Sequence, residues 1–269
     1  MIQEQRHAAV KGSFYPDNCT KLEIYFRKFS ESISKETKAK PIFDIIPKAI
    51  IVPHAGYIYS GFTANIAYTI LPNSSAKRVV VIGPSHHHYF EGISGSYYDN
   101  YETPCGDLDI DTAYLIDLAK KFNIGFEPKA HQQEHSTEVQ MPFVQHYLPQ
   151  AKVIELIYGK LSPLYLQEII KYLIEDPENV IIISTDLSHF YTQKQAKKLD
   201  HICLDAVATR NSQKFDEGCE ACGMIGLKAI IGVAKDLGLK SQLLDYRTSA
   251  DYSGDETRVV GYASAVIYK

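Results

Sequence analysis

The sequence predicts an α/β protein, a three-layer αβα sandwich around a mixed, largely parallel sheet. Three observations lead there. Short β-branched runs alternate with longer segments of helical period. The early runs are apolar throughout instead of alternating, as expected when helices cover both faces of a sheet. The last two runs follow each other without an intervening helix, which marks a hairpin and some antiparallel pairing.

Strands are predicted at Ala49–Val52, Arg78–Ile82, Lys152–Ile157, Asn179–Ser184, Gln242–Tyr246 and Val259–Tyr268. Helices are predicted at Ser60–Leu71, Asp111–Lys121, Thr137–Tyr147, Pro163–Glu175, Gln193–Thr209 and Ala221–Leu237. Tyr89 to Asp109 reads as a loop or small hairpin, and the polar stretch 31–41 as a solvated connection. No repeat or linker divides the chain. A length of 269 residues at 45% hydrophobic suits one domain over 1–269.

A net charge of −4 without any concentrated Lys/Arg stretch argues against nucleic-acid or anionic-membrane partners. The apolar runs are strand-sized, far short of a membrane span, and Met1 to Arg6 lacks the apolar core of a signal peptide. Five cysteines, an odd number, do not suggest a disulfide framework, so the expectation is a reducing cytoplasm.

Three segments share one form, an apolar strand running into a His-containing loop: Ile50 to Tyr57, Val79 to His88, and Ile181 to His189. Ligands of open α/β sheets bind outside the carboxyl ends of strands. If these strands are parallel neighbours, His54, His86 and His189 converge on one crevice. Within His86-His87-His88, consecutive extended residues alternate sides, so one of the three is expected to bind metal. Asp186 stands three residues before His189, where a carboxylate would fix the imidazole tautomer for acid/base work, or cap a helix.

Cys219-Glu220-Ala221-Cys222 admits three readings: a redox couple, a contribution to a metal site, or small residues at a helix start. His131-Gln132-Gln133-Glu134-His135 matches the inverted zinc-protease pattern, which works only on a continuous helix. Pro128 before it and Pro142 after it oppose one. His135 and Glu138 are left as polar groups facing the pocket.

With these pieces in view, the sequence resembles the Memo family, also called AmmeMemoRadiSam system protein B. The resemblance is carried by Ala8 to Pro16, Pro53-His54-Ala55-Gly56-Tyr57, Gly83 to His87, Glu102-Thr103-Pro104, Glu134 to Glu138, Ser184 to His189, Cys222-Gly223 and Val259 to Ser264, in order along nearly the whole chain. The family is similar to the class III extradiol dioxygenases, in which two histidines and a carboxylate hold iron. The resemblance implies a LigB-like pocket in which a cysteine replaces that carboxylate. His54, His86 and Cys222 would be the metal ligands, His189 the acid/base with Asp186 beside it, and Tyr57, His87, His135 and Glu138 the surroundings.

Thiolate softens such a site and sets iron or copper beside zinc as candidate ions. The function this implies is a metal-binding, redox-capable protein with oxidoreductase chemistry on an unidentified small molecule. Two other functions stand beside it: a peptide- or protein-binding module using a vestigial pocket, and a zinc hydrolase built on His131, Glu134 and His135. The resemblance also implies a radical-SAM protein and an AMMECR-type protein as partners. Cys219 has no place in the family pattern, and pairing with Cys222 would make the metal site redox-gated.

Overall fold

The structure is a computed structural model that describes residues 5–36 and 44–269. Residues 1–4 of the polar N-terminus and 37–41 of the stretch read as a connection lie outside the described residues. In chain order the strands are β1 (Gln5–Arg6), β2 (Pro47–Val52), β3 (Arg78–Pro84), β4 (Ile93–Gly95), β5 (Asn100–Thr103), β6 (Gly106–Asp109), β7 (Lys152–Tyr158), β8 (Asn179–Ser184), β9 (His189–Tyr191), β10 (Lys240–Thr248) and β11 (Val259–Tyr268). The helices are α1 (Cys19–Glu36), α2 (Tyr57–Tyr68), α3 (Thr112–Phe122), α4 (Pro128–Gln132), α5 (His135–Glu138), α6 (Met141–Tyr147), α7 (Pro163–Glu175), α8 (Gln193–Thr209), α9 (Met224–Asp236) and α10 (Ala250–Ser253).

The main sheet runs β10-β11-β2-β8-β3-β7-β4, with β9 paired to β11. Its centre, β2-β8-β3-β7, is parallel, and both flanks are antiparallel. These central strands read as continuous apolar runs because both of their faces are buried. Ile51, Val80, Ile154, Ile181 and Ile183 face a core covered by α3, α7, α8 and α9. Ile50, Val79, Val81, Val180 and Ile182 face a second core under α1, α2 and α6. The alternation of strand residues between the two cores is the period-2 rule applied to a three-layer sandwich.

Three expectations are corrected. Residues 31–36 continue α1 and are not a connection; Leu22, Phe26 and Ile33 of this helix are buried in the second core. The helix expected over Thr137–Tyr147 is two pieces, α5 and α6, with Pro142 in the first turn of α6, where its missing N–H costs nothing. The cysteines do pair: Cys19 with Cys105, and Cys203 with Cys219, leaving Cys222 as the free thiol. An odd count therefore means two bonds plus one thiol, which removes the ground for inferring a reducing compartment. It also removes the redox-couple reading of Cys219 and Cys222, because the Cys219 sulfur is already bonded.

The segment Tyr89 to Asp109 holds β4 and the hairpin β5–β6, which pairs in parallel with β1. No helix among the described residues is long and apolar enough to cross a membrane.

Candidate metal centre

Strands β2, β8 and β3 are parallel neighbours, and their carboxyl ends carry His54, then Ser184 to Asp186, then His86. Two glycines allow other elements to close on these ends. A Cβ on Gly83 would lie 2.6 Å from the Ser136 hydroxyl, so its absence lets α5 sit against the end of β3. A Cβ on Gly223 would lie 2.4 Å from the Thr185 Cβ, so only glycine lets the start of α9 reach the end of β8. That approach places Cys222 beside the strand end, where the Asp186 N–H donates to its Sγ at 3.2 Å.

The hydrogen bonds around His54 fix its tautomer. The Ser184 hydroxyl donates its single proton to the Ser136 carbonyl (2.5 Å) and accepts from the Gln140 amide (2.9 Å). Its remaining contact, 2.9 Å from His54 Nδ1, must therefore be donated by the imidazole. Nε2 keeps its lone pair and lies 3.2 Å from Cys222 Sγ. Gln140 is held in turn by the Pro53 carbonyl and the Tyr68 hydroxyl.

His86 is held on the same principle. Glu134 accepts from its Nδ1 at 2.8 Å and from its backbone N–H at 2.5 Å. Burial raises the Glu134 carboxyl, but the His86 contacts and the Ser136 N–H outweigh it and bring it down to about 2, so it is ionised. An ionised carboxylate only accepts, so Nδ1 of His86 carries a proton directed at it. In both histidines a group behind the ring holds Nδ1 and fixes the ring's orientation, the usual arrangement around metal-binding imidazoles. One donor atom from each of His54, His86 and Cys222 lies within 4.8 Å of the others.

The electrostatics favour neutral His54 and His135 rings and a protonated thiol. Burial first, and His86 second, push His54 down to about 3. Burial, with His54 and His86, pushes His135 down to about 4. Cys222 is pushed up to about 12 by burial and then by the Asp186 carboxylate. The Cys222 proton thus sits on sulfur, 3.2 Å from His54 Nε2.

The other predicted residues divide. His135 belongs to the cluster, with ring centroids 4.5 Å from His86 and 5.4 Å from His54, and His87 lies 5.6 Å from His135 on the exposed side. His189 opens β9 and is near enough for its charge to act on His54 and Asp186. Asp186 makes no hydrogen bond to His189 among the described residues. Its carboxylate instead accepts the His54 N–H at 2.8 Å, and burial raises its pKa.

Tyr57 and Glu138 are occupied elsewhere. The Tyr57 hydroxyl donates to the Val139 carbonyl, and its ring packs on Phe143. Glu138 is fully buried; one oxygen accepts from the Val10 N–H and the Tyr15 hydroxyl, the other from Arg6 and the Ala9 N–H. It anchors the N-terminal segment, whose Phe14 packs against His135.

The hydrolase constellation does not assemble. Helix α4 ends at Gln132 and α5 starts at His135, so no continuous helix carries the motif. Both ring nitrogens of buried His131 are taken, by Glu155 (2.7 Å) and Ser94 (2.8 Å). The sequence reading missed Ser184, Gln140 and Ser136 as the supports of His54, and Glu134 as the partner of His86. Glu134 and Ser184 do stand inside the motifs that carry the resemblance, which was the available signal.

Residues 6–266 match the family model described as Memo-like protein. The chain is 30% identical to a MEMO1 family protein of Archaeoglobus fulgidus, over 97% of this chain and 98% of that protein. It is 32% identical to one from Aquifex aeolicus, over 97% and 98%, and 32% identical to one from Methanococcoides burtonii, over 97% and 99%.

The Glu138 anchor is testable. Glu138→Ala leaves the buried Arg6 guanidinium without its carboxylate, and is expected to cost about 3–5 kcal/mol in urea unfolding. A loss below about 1 kcal/mol would mean that the pair acts like an exposed one.

Proposed function

The chain belongs to the Memo family, and from that premise we propose that it acts as a single Memo-like domain binding one transition-metal ion through His54 Nε2, His86 Nε2 and Cys222 Sγ. One observation carries the reading. Two imidazoles with their Nδ1 atoms engaged from behind stand at the one free thiol of the described residues, with His54 Nε2 3.2 Å from its sulfur and one donor atom of each of the three residues within 4.8 Å of the others. Two nitrogens and a thiolate suit Cu(I), Fe(II) or Zn(II), and iron or copper would supply one-electron chemistry with coordination positions left open.

The protein's own groups then divide the remaining work. Ser184 and Glu134 hold the two rings in place. His189, half-buried beside the centre, exchanges a proton with a small-molecule substrate entering from the His87 and His135 side. The dioxygenase-like character of this pocket rests on the family resemblance, and oxidoreductase chemistry on the softness of the donor set.

Elemental analysis of untagged protein purified without oxygen is the direct test. One equivalent of iron, copper or zinc is expected, falling to background in His54→Ala and in Cys222→Ala. Full metal content in both variants would remove the proposal.

The affinity should also depend on pH in a defined way. Cys222, pushed up to about 12, is protonated throughout pH 7.5 to 9, whereas His54, pushed down to about 3, is already neutral. Binding as thiolate therefore releases one proton from Cys222, and affinity rises as pH rises, by about tenfold per unit. A pH-independent affinity in a competition titration would exclude the sulfur as a ligand.

His189→Ala is expected to keep its metal while consuming oxygen or reductant more slowly than the parent, by about 10²-fold or more. Equal rates would count against His189 as the proton-transfer group.

A further inference from the structure

The two disulfides differ in access. Cys203 is 1% exposed and Cys219 8%, inside the core beneath α8 and α9. Cys19 and Cys105 are only half-buried, and they line an open cleft of about 310 Å³ together with Glu23, Gln145 and His146. Accessible disulfides are the reducible ones.

Beside this accessible pair stands a third ligand-type group. Glu23 lies one helical turn after Cys19 on α1, on the same face. One oxygen of its carboxylate and the sulfurs of Cys19 and Cys105 lie within 4.8 Å of one another. His146 Nδ1 contacts Glu23 Oε1 at 3.1 Å from the other side, and its ring stacks on Phe26 at 4.4 Å. The carboxylate is thus oriented by an imidazole that is itself held in place.

The elements on both sides of the bond are also held by other contacts. Cys105 occupies the tight turn between β5 and β6, and that turn is tied to α6 by Gln145, which donates to the Gly106 carbonyl at 3.0 Å and also contacts Thr103. On the other side α1 is seated by Leu22 and Phe26 in the core. Reduction leaves two thiols facing each other beside a carboxylate.

We propose that reduction of Cys19–Cys105 creates a second metal site, a zinc-type site formed by Cys19, Cys105 and Glu23, with His146 positioning the carboxylate. In the reducing step an external dithiol gives two electrons and two protons; the S–S bond breaks, two thiols form, and the reductant becomes a disulfide. In the binding step both thiol protons pass to solvent, and a divalent zinc-type cation takes two thiolates and one carboxylate oxygen, with a fourth position left to water. The oxidised pair offers no thiolate, so bond and metal exclude each other. The site is independent of His54, His86 and Cys222.

The test uses the His54→Ala, Cys222→Ala double variant, so that the first centre supplies no sulfur ligand and no sulfur-to-cobalt band; the His86, Glu134 and His135 group that remains holds only nitrogen and oxygen. Treatment with dithiol reductant under native conditions, followed by anaerobic desalting, should yield two thiols, mapped to Cys19 and Cys105, with Cys203–Cys219 intact and circular dichroism unchanged. Co²⁺ should then bind with one-to-one stoichiometry and a sulfur-to-cobalt charge-transfer band, and Zn²⁺ should displace it. The oxidised protein should show no band.

Cys105→Ser should abolish the band, and Glu23→Gln should weaken binding by about tenfold or more. Failure to gain thiols, unfolding on reduction, absence of the band, its persistence in Cys105→Ser, or full affinity in Glu23→Gln would each overturn the site.

Discussion

The carboxyl end of β8 is where His54 and Cys222 are tied together. Ser184 faces the β2 side and fixes the His54 ring, the Asp186 carboxylate takes the His54 backbone N–H, and the Asp186 N–H points at Cys222. This strand end lies between those of β2 and β3 in the middle of a parallel sheet, so groups from both sides can reach it. Ser184 has one proton to give and two lone pairs to share, and all three are used. In a buried network each lost contact leaves a polar group unsatisfied, at about 1–3 kcal/mol apiece. The orientation of His54 is thereby over-determined, and a small change at Gln140 or Ser136 is felt at the imidazole.

The same network explains why the cluster is an unusual thing to bury. Three imidazoles crowd together in a place where burial keeps two of them, His54 and His135, from taking up a proton. His54 and His135, kept neutral by burial, share this place with His86 and a thiol, an arrangement that gains nothing for the fold. Local violations of good packing of this kind mark functional sites. In the structure the protonated Cys222 sulfur lies 3.2 Å from His54 Nε2.

Much of the fold was legible. The runs at Asn179–Ser184, Val259–Tyr268, Pro163–Glu175 and Gln193–Thr209 coincide with the observed elements, because apolar period and capping residues are local properties. Convergence of His54 and His86 followed from strand ends in a parallel sheet. Helix α1 escaped because its buried stripe of Leu22, Phe26 and Ile33 is thin within a polar segment. Glu138 was placed near the pocket by its neighbours in sequence, yet its partners Arg6, Ala9, Val10 and Tyr15 lie more than a hundred residues away. Such pairings are tertiary facts that no spacing rule contains, and neither is disulfide connectivity.

The cysteines show how connectivity decides chemistry that composition leaves open. Cys219 and Cys222 are three residues apart, a spacing that by itself invites a bond between them and would cancel the thiol at the histidine cluster. Bonding Cys219 to Cys203 settles the competition, since a sulfur in one disulfide is not available for another. Gly223 completes the effect by letting the chain after Cys219 fold tightly onto Thr185, which fixes Cys222 on the sheet side of the turn. The free thiol is therefore a consequence of where its neighbour is tied, and five cysteines are what two cross-links and one free thiol require.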